Sequence, residues 1–193
     1  MAATPQGPSV PPGAALRREF FDRPTVTVAR ALLGCAIGRT MPEGPRFGRI
    51  VETEAYVARD PANHAFRGPT DRNRSMFSRP GTLYVYRIHQ VHCANAVTRP
   101  GEAVLFRALS PLSPGLPDAR GPGRLCRALG LTRSEDGSDL VEGPVRVYPR
   151  SGPPGPIVRA VRVGIRRAAD RPLRFALLRN PYVSSPRPWG RAA

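Results

Sequence analysis

Phe47-Gly48-Arg49-Ile50-Val51-Glu52-Thr53-Glu54-Ala55-Tyr56 decides the fold. Apolar and polar side chains alternate along its second half, the period of a β-strand. A Pro-Glu-Gly-Pro turn, Pro42 to Pro45, precedes it, and Cys35–Thr40 precedes the turn. Two runs joined by such a turn predict a hairpin. On a strand, Glu52, Glu54 and Tyr56 share one face. The commonplace reading of that face is a solvent-facing strip. The alternative is a general base beside an aromatic platform.

Further strands are predicted at Leu83–Ile88 and Val91–Val97, joined tightly around His89 and Gln90, and at Ala103–Leu109, Leu140–Val147, Ile157–Ile165 and Leu173–Leu178. Asp22 and Pro24 start a helix around Val26, Ala29, Leu32 and Leu33, and Gly34 stops it. Gly123–Gly130 reads as a short helix closed by Gly130. Val57–Phe77 reads as a polar loop with short helical turns, and Pro111–Arg120 as a Pro-rich loop. Strands in neighbouring hairpins predict a single α+β domain over 15–184, with an antiparallel sheet flanked by short helices. Residues 1–14 and 185–193, rich in Ala, Pro, Gly and Ser or Arg, are expected to be disordered tails.

The 193 residues carry 30 basic and 14 acidic side chains, a formal net charge of +16. Every basic residue is Arg; there is no Lys. This excludes a Walker-type phosphate loop and any enzyme working through a side-chain amine. The excess charge points to a polyanionic partner. No apolar run approaches the roughly 18 residues of a membrane span. Met1 to Ala15 lacks the basic start and apolar stretch of a secretory signal. Cys35, Cys93 and Cys126 are odd in number and far apart, as expected of buried thiols in a reducing cytoplasm.

Three more stretches could carry chemistry. Asn63-His64 is followed by Arg67, Arg72 and Arg74, a basic loop suited to phosphates. Tyr84 and Tyr86 share a strand face, and aromatic rings among arginines suit base stacking with phosphate neutralisation. His89, His92 and Cys93 cannot easily share a face, so no metal site is expected. Arg107 interrupts the apolar run Val104-Leu105-Phe106-Arg107-Ala108-Leu109. A charge there must be paired or at a site, and Glu52 or Glu54 is the natural partner.

Taken in order, Gly48–Tyr56, Asn63-His64, Arg72–Phe77, Pro80–Tyr86, Val104–Leu109, Gly121–Gly130, Arg162–Ile165 and Pro172–Phe175 resemble the alkyladenine (3-methyladenine) DNA glycosylase family. The resemblance spans about Phe20 to Ser184. It implies a mixed domain with a curved antiparallel core and a β-hairpin that inserts into DNA. It also implies a monofunctional base-excision enzyme without metal or other cofactor. Its partner would be double-stranded DNA, and its substrates alkylated or deaminated purines such as 3-methyladenine, ethenoadenine and hypoxanthine. By motif position, Glu54 would activate water and Arg107 would help hold it. Tyr56 and Tyr86 would sandwich the flipped base beside His64, and Asn95 would reject guanine. His89, Val91 and His92 would enter the minor groove, and Arg67, Arg72 and Arg74 would meet the backbone. The expected protein is monomeric, cytoplasmic and nucleoid-associated, with no membrane contact.

One departure stands out. His89 occupies a position where the family typically has a wedging Tyr, Gln90 replaces a Gly, and the stretch before Cys93 is one residue shorter. A weaker wedge is expected. Two rival readings remain: a non-catalytic protein that binds damaged nucleic acid, and a sugar hydrolase using Glu52 and Glu54 as an acid–base pair. The absent lysines bear on the enzyme reading, because a glycosylase that also cuts the strand does so through an amine, and this chain offers only its α-amino group on a tail expected to be disordered. Only water is then expected as nucleophile.

Overall fold

Glu52, Thr53 and Glu54 lie at the middle of the longest strand, and none is exposed. In this computed structural model, which describes residues 11 and 13–189, that strand is β2 (Gly44–Tyr56). Its first half pairs with β1 (Ala36–Met41), from Ala36 opposite Arg49 to Met41 opposite Gly44. Its second half pairs on the same side with β8 (Arg174–Leu177), Glu52 facing Ala176 and Glu54 facing Arg174. The other side pairs with β5 (Glu102–Pro111) along nearly its whole length. Beyond β5 lie β4 (Val91–Arg99) and β3 (Leu83–Ile88); β6 (Arg146–Tyr148) extends β1 and β7 (Ile157–Ala160) extends β8. All pairings are antiparallel, and the sheet curls into a half-barrel.

Helix α2 (Thr25–Ala31) starts after Pro24 and packs against the middle of the sheet, where the Ala29 carbonyl accepts the Thr53 hydroxyl at 2.9 Å. A shorter turn, α1 (Arg18–Phe21), had no clear sequence signal. Helix α3 (Pro122–Leu129) buries Leu125, Cys126, Ala128 and Leu129 and ends in a left-handed Gly130. Its close approach to β4 requires Gly123, since a Cβ there would stand 2.9 Å from Val91.

Two expected strands are shorter than predicted. Within Leu140–Val147 only Arg146 and Val147 are extended, because Asp139 organises a turn. Its side chain accepts the Val141 amide, its carbonyl accepts Gly143, and its carboxylate gathers Arg18 and Arg79 at 2.6 Å each. Within Ile157–Ile165 the strand stops at Ala160, the last residue with a partner on β8. Of the expected tails, 1–10, 12 and 190–193 lie outside the described residues. Within 185–189, Pro186 accepts from Arg174 and Trp189 packs against the core.

The expected solvent-facing strip is a correction: β2 is paired on both edges and its polar face is covered. Glu52 is the clearest case. Its Oε1 accepts Arg107 Nε at 3.1 Å, Arg174 Nε at 2.6 Å and the Ser184 hydroxyl at 3.1 Å; its Oε2 accepts the Ser184 amide at 2.8 Å. One carboxylate thus joins β2, β5, β8 and the C-terminal strap. Such saturation also removes Glu52 as a proton donor or acceptor, so the acid–base pair of a sugar hydrolase is absent. Glu52→Gln leaves buried Arg174 without its anion and Arg107 with Glu54 alone, and is expected to lower unfolding free energy by about 3–5 kcal/mol in urea denaturation; wild-type stability would refute this account of the fold.

Candidate active site

Two β-bulges aim the reactive groups. Ile50 faces Leu109 but Glu52 faces Ala108, so Val51 has no opposite residue on β5. Thr53 then faces Phe106, which leaves Arg107 without an opposite residue on β2. A bulge twists the strand and redirects a side chain. Arg107 is turned between both carboxylates, its Nε on Glu52 and its Nη1 3.2 Å from Glu54. Its Nη2 donates to the Ser184 hydroxyl at 3.2 Å. The expected ion pair is present, with both candidates at once.

Glu54 is held differently. Its Oε2 accepts the Tyr56 hydroxyl at 2.9 Å, and its Oε1 accepts the Val163 amide at 2.9 Å. Burial pushes its carboxyl above the ordinary range, and Arg107, Val163 and Tyr56 only partly oppose this. Burial and the neighbouring carboxylate also raise the Tyr56 phenol, so it stays a donor. A carboxylate of raised proton affinity beside a fixed guanidinium can accept a proton and face a developing cation.

The expected base-binding residues converge. Tyr56, His64, Tyr86 and Asn95 line one cavity, together with Asn63, Met76, Tyr84 and Ala103. His64 meets the Tyr86 ring edge-on at 4.3 Å, and its Nδ1 lies 3.1 Å from the Tyr84 hydroxyl. Although His64 is exposed overall, its ring is desolvated between the tyrosines, which lowers its pKa. Asn95 is buried and donates to the Tyr84 carbonyl at 3.1 Å, so its amide is fixed. Buried Asn63 and Asn73 pin the loop that carries His64. Asn63 donates to the carbonyls of Val57 and Gly101, and Asn73 to those of His64 and Gly68.

The residues expected in the minor groove separate. His89 is exposed at the tip of the β3–β4 hairpin, with φ of 51° in the two-residue turn His89-Gln90. Arg87 donates to the Gln90 side chain at 2.7 Å and clasps that tip. Val91 and His92 are half-buried farther back; Val91 packs against α3. Arg67, Arg72 and Arg74 are all exposed. Arg72 borders an open cleft with Arg87, Arg133 and the tyrosine pair, while Arg74 is tied to Asp71 at 2.8 Å. Beyond Val91 runs a groove of about 1140 Å³ that reaches Arg107 and is bordered by Arg120, Arg124, Arg127 and Arg187. Among the described residues, no group of three or more His, Cys, Asp or Glu could hold a metal, and no helix is long and apolar enough to cross a membrane.

Sequence reasoning missed Arg174, Ser184, Asp60, Arg162 and the Val163 amide. Arg174 carried a usable signal, a charge inside the apolar run Leu173-Arg174-Phe175-Ala176-Leu177, the same signal that marks Arg107. Asp60 and Ser184 reside in irregular segments without periodicity, and Arg162 and Val163 fall in the predicted strand Ile157–Ile165 beyond the point where it ends.

The chain is similar to known proteins over most of its length. It shares 47% identity with a protein of Methanoculleus marisnigri, covering 86% of this chain and 96% of that one. It shares 43% with one of Rhizobium etli, covering 88% of each, and 44% with one of Rhodopirellula baltica, covering 88% of this chain and 82% of that one. Each of these relatives bears the name "Putative 3-methyladenine DNA glycosylase". The family model of methylpurine-DNA glycosylase (MPG) matches residues 19–181, the span that holds Glu54, Arg107 and the whole aromatic cavity, and the chain belongs to that family.

Proposed function

We propose that this protein is a monofunctional glycosylase that flips alkylated or deaminated purines, such as 3-methyladenine, ethenoadenine and hypoxanthine, out of double-stranded DNA and hydrolyses the N-glycosidic bond. The observation that carries this reading is Glu54, paired with Arg107 and bonded to Tyr56, which lines the aromatic cavity. A stacked base hides its glycosidic bond, so it must leave the helix at a cost of a few kcal/mol. Stacking on Tyr56 and Tyr86 offsets this by about 1–3 kcal/mol per base. Ionised Glu54 then aligns and deprotonates water while the sugar gains positive charge. Arg107 keeps the carboxylate in place. The fixed amide of Asn95 clashes with the exocyclic amine of guanine and so rejects it.

The duplex is read as straddling the β3–β4 hairpin. Its tip, with exposed Ile88 and His89, enters the minor groove, and Val91 and His92 support it. Arg72 and Arg87 neutralise phosphates on one side, with Arg67 and Arg74 along the same loop; the arginine-bordered groove serves the other. The protein acts as a monomer at the nucleoid in the cytoplasm.

Duplex oligonucleotides carrying hypoxanthine or ethenoadenine, treated afterwards with hot alkali, test the assignment. Glu54→Gln is expected to lose on the order of 10²–10⁴-fold in excision rate. No product from the wild type would favour a protein that binds lesions without turnover, and equal product from both would remove Glu54 as the base.

The pH profile gives a second test. Ionised Glu54 is the active form and burial favours the neutral one, so activity is full above its raised pKa and lost as pH falls through it. The acidic limb of kcat/KM should therefore lie above the ordinary value of 4.5. In Tyr56→Phe, which removes a donor to the carboxylate, the limb should move further up; movement downward contradicts the role given to the phenol.

The hairpin tip gives a third. A small imidazole fills the vacated stack less well than a phenol. By stopped-flow fluorescence on an ethenoadenine duplex, His89→Tyr should shift the equilibrium toward the flipped base by slowing its return. An unchanged equilibrium would show that the tip does not wedge.

A further inference from the structure

Behind the cavity lies a fully buried ion pair that the proposed reaction does not use. The side chains of Arg162 and Asp60 are both inaccessible, with Nη1 2.5 Å from the carboxylate. Arg162 also donates to the carbonyls of Ala55 at 3.2 Å and Ala168 at 3.3 Å, while its Nε is buried without a partner among the described residues. Its guanidinium carbon stands 4.7 Å from the centroid of the Tyr56 ring. Tyr56 lines the cavity and Arg162 is not among the lining residues, so the ring links the cation to the cavity. The next residue, Val163, supplies the amide bonded to Glu54.

The geometry points to Arg162 and Asp60 as a specificity-determining pair that tunes the Tyr56 wall of the pocket against positively charged bases. This rests on the reading of that cavity as the base pocket. An aromatic face attracts a cation through its quadrupole. Arg162 already occupies one face and draws π density toward itself. The face turned to the cavity therefore holds a second cation less well, and the Arg162 charge repels it through the ring. Asp60 opposes both effects through its bond to Arg162, and Arg171 stands 3.8 Å from the same carboxylate. Arg162 is the member of the pair set over the Tyr56 ring, so its positive charge is the one the base senses through that ring. A neutral purine pays no such penalty. The bias has a chemical use: a cationic alkylated purine departs readily, whereas a neutral deaminated one depends on being held well.

Two variants shift the balance in opposite directions. Asp60→Asn leaves the Arg162 charge uncompensated. The double variant Asp60→Asn/Arg162→Gln replaces the pair with neutral amides. The measured quantity is the ratio of two release rates, 3-methyladenine from dimethyl-sulfate-treated duplex and hypoxanthine from a defined duplex. Melting temperatures show which variants fold. Relative to wild type, the ratio should fall about two- to fivefold in Asp60→Asn and rise about two- to fivefold in the double variant. Loss of packing alone would slow both substrates together and leave the ratio in place. If the wild type releases both bases and the ratio stays constant, or moves the same way in both variants, the pair does not tune the pocket and the cavity reading stands. If only one variant folds, its shift alone decides by sign. A wild type that releases neither base overturns the cavity reading and this proposal with it.

Discussion

The bonds that Glu52 accepts are what the rest of the molecule depends on. A carboxylate with no exposure is costly unless every lone pair is occupied, and here donors arrive from β5, β8 and the strap at Ser184. Each donor is in turn used elsewhere. Arg107 reaches on to Glu54, and Arg174 reaches on to the carbonyls of Ser184 and Pro186 at 3.2 and 2.9 Å. Planar guanidinium donors with fixed directions make such bridging possible, which a single ammonium point charge does not. The chain's exclusive use of Arg suits this core, where one cation must bind two partners at set angles.

Glu52 and Glu54 stand two residues apart on one strand and have opposite fates. Glu52 is held by two guanidiniums and the strap. Glu54 has one guanidinium, one phenol and one amide, at the end of the network that adjoins the cavity. The difference comes from the sheet. Glu52 faces Ala108 and Ala176 and Glu54 faces Leu105 and Arg174, yet Arg174 turns its guanidinium back to Glu52, and the bulge leaves Arg107 between the two carboxylates. Environments that push like groups apart are how acid–base roles are divided.

The sheet was legible wherever alternation was uninterrupted. β3 and the tight turn at His89-Gln90 fall where the pattern puts them, and the β1–β2 hairpin follows from its turn. Leu140–Val147 was misread because Val, Leu and Pro there serve turns built on Asp139, and composition does not record which backbone groups a side chain accepts. The face of β2 was misread for a different reason. Its polarity suggested solvent, yet the compensating charges lie 55 and 122 positions away in sequence. The pocket residues were found from the family resemblance. Asp60 and Ser184 had no local pattern to mark them, and Arg162 stood in a family-like segment read as strand without its pairing being legible, because these contacts depend on where irregular chain closes over the sheet.

Burial of Glu54 disfavours the charged form on which the proposed reaction relies. In the proposed reaction the cost falls on the ground state. Before a base enters, Glu54 is a carboxylate with reduced solvation, and among the described residues Arg107 is the one cation paired with it. As the glycosidic bond lengthens, positive charge grows on the sugar, and the carboxylate gains the counter-charge it lacked. An interaction that strengthens only as the transition state forms raises rate rather than affinity. A fully paired carboxylate such as Glu52 could not do this, because a new cation would compete with two guanidiniums already in place. The proposed reaction therefore draws on both: one glutamate whose bonds hold Arg107 fixed, and a second left short of charge until the sugar supplies it.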